Sequence, residues 1–249
     1  SDMLFVGLDN FMKVFRTHEI WITLQRSALI AAVSAVVSLV LGLGYALILY
    51  RLGQKEQTVF RFIFFSPAMM PMTVIGLLFV FVLSSEGLLN NVLELIGLGG
   101  LKHAWLGDPH ISLWAVGIIQ GWRQSGVIMM LFVTAILALP PSLFESARLE
   151  GASYLQQIRI IILPLIKPSL RLNVSMLVMW GFKTYDLVYV MTKGGPGEYT
   201  YTTPLKIIQL GFNLNEYGTA AALGVLLTVV VSICVIVARY LLRGEDYEY

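Results

Sequence analysis

The chain has 249 residues, of which 57% are hydrophobic and 13% charged, with a formal net charge of +2 and a mean hydropathy of +0.77. A soluble domain carries about twice that share of charge, so the composition excludes an ordinary soluble fold and makes lipid the main solvent. The single cysteine, Cys234, lies in an apolar run and excludes an intramolecular disulfide. The net charge carries no information about partners, because in a membrane protein its distribution matters more than its sum; no nucleic-acid partner is expected.

In chain order, residues 1–21 are mixed and partly amphipathic. Phe5, Val6, Leu8, Phe11, Val14 and Phe15 fall at roughly helical spacing, which predicts a short interfacial helix outside the bilayer. Five apolar runs follow, near 24–50, 62–83, 111–139, 170–191 and 218–242, each long enough to cross a hydrocarbon core of about 30 Å. The second run contains Pro67 and Pro71 and should be kinked or broken. The fifth opens with Gly218, Ala220, Ala221, Ala222 and Gly224, small residues that allow close helix packing. The expected fold is all-α and polytopic, with a transmembrane domain over 22–249.

Five spans put two sets of loops on opposite sides. One set holds Arg51, Lys55, Arg61, Arg148, Arg159, Lys167, Arg171, Arg239 and Arg243, and the other Lys13, Arg16, Lys102, Lys193 and Lys206. The basic excess places the first set, with the 140–169 loop and the C-terminus, in the cytoplasm. The N-terminus is then outside. With no signal peptide visible, that implies a further upstream span, six in the intact protein.

Some polar residues fall inside the spans. Lys183 and Asp186 are three apart in the fourth span and so on one helix face; Gln120, Arg123 and Gln124 share a face of the third. Charge in hydrocarbon faces a partner or a watery cavity. An Arg123–Asp186 or Lys183–Asp186 pair is geometrically open, either as a packing device or as part of a polar route for a hydrophilic solute. Trp180 and Tyr185 accompany these charges, either as stacking surfaces for a sugar or as belt anchors; Tyr189 reads as a belt residue. His18, His103 and His110 lack a metal-ligand spacing, and Gly194-Gly195-Pro196-Gly197 lacks the context of a phosphate loop. No catalytic constellation is visible, so the chain is not expected to be an enzyme.

The most punctuated stretch is 145–164. Ser142 stands three residues before Glu145 and Ser153 three before Gln156, the spacing of two capping boxes. Gly151 is placed to end the first short helix and Pro164 the second. Two capped helices with a glycine corner, spanning about 142–164, would form a compact knob for something outside the membrane to grip.

At this knob the sequence resembles the permease subunits of bacterial ABC importers, whose cytoplasmic signature is Glu-Ala-Ala, three residues, Gly, nine residues, then Ile-x-Leu-Pro. Here Glu145-Ser146-Ala147, Gly151, Ala152 and Ile161-Ile162-Leu163-Pro164 keep that spacing, with Ser146 in place of the usual alanine and Glu150 in place of a frequent aspartate. The segments Phe5-Val-Gly-Leu-Asp-Asn-Phe11, Phe60-Arg61-Phe62 with Pro67, Gly87-Leu88-Leu89-Asn90, Trp122-Arg123 and 186–196 resemble carbohydrate-uptake permeases of the maltose and glycerol-3-phosphate type. The resemblance implies a type I importer fold in the bacterial inner membrane. It also implies a second homologous permease, two ATPase subunits that hold ATP and Mg and receive the knobs, and an extracytoplasmic solute-binding protein. A phosphoester permease and an ion-coupled secondary transporter using Asp186 are the competing expectations, although no inverted repeat is visible.

Overall fold

The computed structural model describes residues 6–242, and these are helical with no strand. Phe5, Arg243 and the C-terminal tail, used above in the interfacial pattern and the charge count, lie outside the described residues.

The first helix, α1 (Asp9–Arg16), is short and amphipathic. Thr17 leaves helical geometry, and α2 (His18–Arg51) then runs for 34 residues, so the described part of the stretch 1–21 enters two helices. Val14 is fully buried against the opening of α13 (Tyr217–Leu241), and Lys13 closes the contact with an ion pair to Glu216 at 2.6 Å. The small residues that open α13 therefore seat α1: Gly218 lies against Asn10, whereas Gly224 has open space where a side chain would stand.

The second span is broken. Helix α3 (Gln54–Met69) passes through Pro67, α4 (Met72–Val82) begins after Pro71, and the two meet at 94°. The break falls at Met70, where the ring of Pro71 disfavours helical backbone for the residue before it, here extended at φ −76° and ψ 142°. A short α5 (Leu88–Leu95) and a loop lead to α6 (Ser112–Leu137). That loop is organised by Asn90, whose amide donates to the Ser85 and His103 carbonyls and accepts from the Trp105 indole at 2.9 Å.

Helix α6 is the central post. Of its apolar window 67% is buried, against 28% for α13. It packs along α2 through Gly117 and Gly121, whose missing side chains are replaced by Val33 and Val37. Two glycines four residues apart let backbones approach, and Ser38 uses the approach to donate to the Gly121 carbonyl at 2.9 Å.

Past α6 the chain forms the punctuated stretch and turns 67° into α10 (Lys167–Phe182). The fourth span does not continue to Met191 as one helix. It stops at Phe182, and α11 (Asp186–Met191) starts after three non-helical residues. Helix α12 (Thr203–Ile208) is tied to α2 by the Thr203 amide, which donates to the Ser27 hydroxyl at 2.9 Å. Among the described residues, three long helices and two bent pairs thus make up to five candidate spans, if each bent pair is one span.

Candidate functional site

The two broken spans meet the polar face of α6 and leave a cavity of about 340 Å³ between them. Ala68 and Met72 line it from the α3–α4 break, Gln120, Arg123, Gln124 and Val127 from α6, and Trp180, Lys183, Thr184, Tyr185 and Asp186 from the α10–α11 break. All six residues singled out in the sequence, Gln120, Arg123, Trp180, Lys183, Tyr185 and Asp186, therefore face one space. Tyr189 does not line it; its ring stacks on Tyr185 at 5.6 Å and it is largely exposed.

Neither of the two charge pairs that the spacing leaves open, Arg123–Asp186 and Lys183–Asp186, is among the ion pairs of the described residues. Arg123 donates instead to the backbone, to Met70 O at 3.3 and 3.4 Å and to Ala68 O at 3.3 Å. The reason is local: α3 ends at Met69, so its last carbonyls lack helical partners and present partial negative charge. Lys183 and Asp186 do not share a helix face either. The Lys183 amide folds back to Trp180 O and the Thr184 amide to Gly181 O, tightening the last turn before Asp186 opens the next helix. Gln120 and Gln124 are buried, and among the described residues their amide oxygens have no hydrogen-bond partner. The cavity is lined by two cations, one carboxylate, two amide side chains and two aromatic rings. That set can hydrogen-bond and stack against a hydroxylated solute. Thr184 was missed, although the uninterrupted run Lys-Thr-Tyr-Asp inside an apolar span was its signal.

The knob is built as two stacked turns. Helix α7 (Pro141–Leu149) ends in a Schellman motif: Gly151 takes φ +79°, its amide donates to Arg148 O, and the Ala152 amide donates to Ala147 O at 2.9 Å. The Glu-Ser-Ala…Gly-Ala spacing is the spacing of that motif. At α8 (Tyr154–Gln157) the second capping box is formed, with the Ser153 amide donating to Gln156 Oε1 at 2.7 Å and the Gln156 amide to Ser153 Oγ at 3.4 Å. The first box is absent. Pro141 takes the first helical position, so Ser142 falls inside the turn and Glu145 does not reach back. Pro164 does not end the second helix either. A π-turn (Ile158–Ile162) precedes it, with the Leu163 amide bonded to Ile158 O, and the widened turn carries the chain through α9 (Leu163–Leu165) to the bend at Ile166.

Phe144 and Ile162 anchor the knob in the core, and the Tyr154 hydroxyl donates to Leu47 O at 2.6 Å. Glu145, Ser146, Gly151 and Leu163 are exposed, whereas Ala147, Ala152, Ile161 and Pro164 are half-buried. Leu149, Leu155 and Ile160 turn outward, 90%, 76% and 69% exposed, an apolar group that the sequence reading did not single out.

Comparison with known proteins agrees with this architecture. Residues 38–244 match the family described as binding-protein-dependent transport system inner membrane component. The probable ABC transporter permease protein YurN of Bacillus subtilis (strain 168) is 33% identical over 245 residues, 97% of this chain and 84% of the relative. The trehalose/maltose transport system permease protein MalF of Thermococcus litoralis is 32% identical over 228 residues, 91% and 76% of the two chains. The diacetylchitobiose uptake system permease protein NgcF of Streptomyces coelicolor is 31% identical over 261 residues, 99% and 74%. A bacterial ABC transporter involved in the import of the acidic polysaccharide alginate shares the fold, with a TM-score of 0.84 over 97% of this chain and 85% of that one at 22% identity. The chain belongs to the family of inner membrane components of binding-protein-dependent transport systems, as a multi-pass ABC transporter permease.

Proposed function

We propose that this permease forms half of a pathway for a sugar or oligosaccharide and that 145–164 couples it to an ATPase. The observation that carries the reading is the convergence of Gln120, Arg123, Trp180, Lys183, Tyr185 and Asp186 on one cavity at the junction of two broken spans. Discontinuous spans supply unpaired backbone groups and leave room for a hydrated ligand. The ring faces of Trp180 and Tyr185 suit sugar faces, while Gln120, Arg123, Lys183 and Asp186 offer donors and acceptors to hydroxyls. Relatives named for trehalose and maltose, diacetylchitobiose and arabinooligosaccharides support a saccharide over a glycerol phosphoester or a coupling cation.

A second, homologous permease completes the pathway, an extracytoplasmic binding protein delivers the solute, and two ATPase subunits carry ATP and Mg. Each ATPase receives one knob through Glu145, Ser146, Ala147, Gly151, Ala152 and the segment Ile161, Leu163 and Pro164. The exposed Leu149, Leu155 and Ile160 give that contact an apolar centre. The basic excess of the knob-side loops supports a cytoplasmic knob and C-terminus.

Uptake and ATP hydrolysis in reconstituted vesicles test both halves. Asp186→Ala should lower uptake with the complex still assembled. Glu145→Lys and Gly151→Pro should abolish ATPase attachment or coupling while the chain still inserts. Wild-type behaviour of all three variants would overturn the proposal.

A further inference from the structure

A second cavity lies between the end of α2 and the knob, remote from the pathway. It measures about 270 Å³ and is walled by Tyr50 and Arg51 of α2, Arg148 of α7, and Tyr154 and Gln157 of α8. Arg51 lies over the ring of Tyr154, 4.5 Å from its centroid. The Tyr154 hydroxyl is fixed to Leu47 O, so ring and guanidinium are held in place together. Among the described residues, neither Arg51 nor Arg148 takes part in an ion pair. Two guanidiniums around one space with no acid in its wall make it electropositive and leave planar forks of donors free for an oxyanion.

An apolar cavity of about 200 Å³ adjoins this one and shares Tyr50 and Arg148 with it. Its wall is Ile136, Leu137, Leu139 and Phe144, and Glu145 is the acid along it. Leu137, in the last turn of α6, is 60% exposed. The two cavities together thus join a cationic space to an apolar furrow at the ends of two membrane-spanning helices.

From this juxtaposition we infer that the site binds an anionic phospholipid of the leaflet on the knob's side. Its phosphate sits between Arg51 and Arg148, and the start of an acyl chain follows Ile136 and Leu137. Headgroup-level arginines at the ends of spans attract anionic lipid. Tyrosines with an apolar body and a polar tip belong at this depth. An acidic side chain from a docked protein would fill the cationic space and leave the adjoining furrow empty, whereas a phospholipid fills both.

The test is binding of dihexanoyl phosphatidylglycerol to the purified transporter in detergent, with dihexanoyl phosphatidylcholine and inorganic phosphate as separate arms. Phosphatidylglycerol should bind tightest. Arg51→Gln and Arg148→Gln should each weaken it about fivefold, and the double variant about 25-fold. Leu137→Trp should weaken phosphatidylglycerol and leave phosphate unchanged, and Arg51→Lys with Arg148→Lys should retain most of the binding in a chain of unchanged helicity. Inorganic phosphate binding as tightly as the lipid would overturn the inference in favour of a free-anion site. Unchanged lipid binding in the double Gln variant would overturn it outright, and would assign the arginines to a docked protein if that variant also lost its ATPase.

Discussion

Arg123, in the middle of α6, holds the carbonyl of Met70 at the point where the second span breaks. A guanidinium that the sequence would pair with a carboxylate is used to close a helix end, and the cavity keeps its shape through that contact. Arg123→Met should leave the Met70 and Ala68 carbonyls without their donor in a low-dielectric setting, at a cost of about 1–3 kcal/mol. Thermal unfolding of the purified variant measures the loss, and an unchanged midpoint would show that the contact carries no stability.

Close backbone approach makes a second prediction with opposite signs at two glycines. A methyl group on Gly181 would fall on the backbone of Ala31 in α2, so Gly181→Ala must push α10 off α2 and should destabilise by about 1–3 kcal/mol. Gly224 has nothing within 4 Å, and Gly224→Ala should stabilise α13 by about 0.5–1 kcal/mol through the lost backbone freedom. The same unfolding experiment on both variants checks the pair.

The two serine caps of the knob should also separate. Ser153→Ala removes a formed capping box and should cost about 1 kcal/mol, raising amide exchange across α8. Ser142→Ala removes no cap and should stay within about 0.5 kcal/mol of wild type. Equal effects would contradict the assignment of the helix start to Pro141.

Acid should loosen the loop after α5 before it affects the spans. The Asp108 carboxyl is held below the usual carboxylate range by its hydrogen bond to His103 at 2.6 Å and then by the His110 amide. A carboxylate with a depressed pKa stabilises the fold above its unfolded pKa, near 4, and that contribution fades as pH falls through the lower folded value. Hydrogen exchange at 88–111, corrected for the intrinsic rate, should therefore rise below about pH 4, and in His103→Ala, which lacks the main cause of the depression, this acid-dependent rise should be smaller. A profile identical in wild type and variant would sink this account.

The readable parts of the sequence were those where one residue settles the local backbone. Pro71 disfavours helix at Met70, Gly151 supplies a left-handed corner, and Ser153 with Gln156 closes a cap within four residues. The site was legible for a related reason, since Gln120, Arg123, Lys183 and Asp186 inside apolar runs must converge on water or on each other. Where two local signals competed, the reading failed. Pro141 at the first helical position displaced the cap expected of Ser142, and the π-turn before Pro164 let the chain pass a residue that ordinarily stops it. The α10–α11 break carries no glycine or proline, so it was not seen, and with it went the shared face of Lys183 and Asp186. Gly117 and Gly121 mark a helix seam only once Val33 and Val37 lie opposite, a relation between segments that no single stretch contains.

The bend at Ile166 joins the knob to α10 through Ile158–Leu165, a joint made of leucine, isoleucine, arginine and proline with no glycine in it. Such a joint resists flexing, so knob and helix turn together like the arms of a crank. The outer arm, α10, is 16 residues long, or about 24 Å at 1.5 Å per residue. A turn of about 10° at the bend would sweep Phe182, and with it the mouth of the polar cavity beside Lys183, through about 4 Å. A rotation small enough to leave the packing around Phe144 intact is therefore magnified, a full helix length away, into a displacement wider than a water molecule.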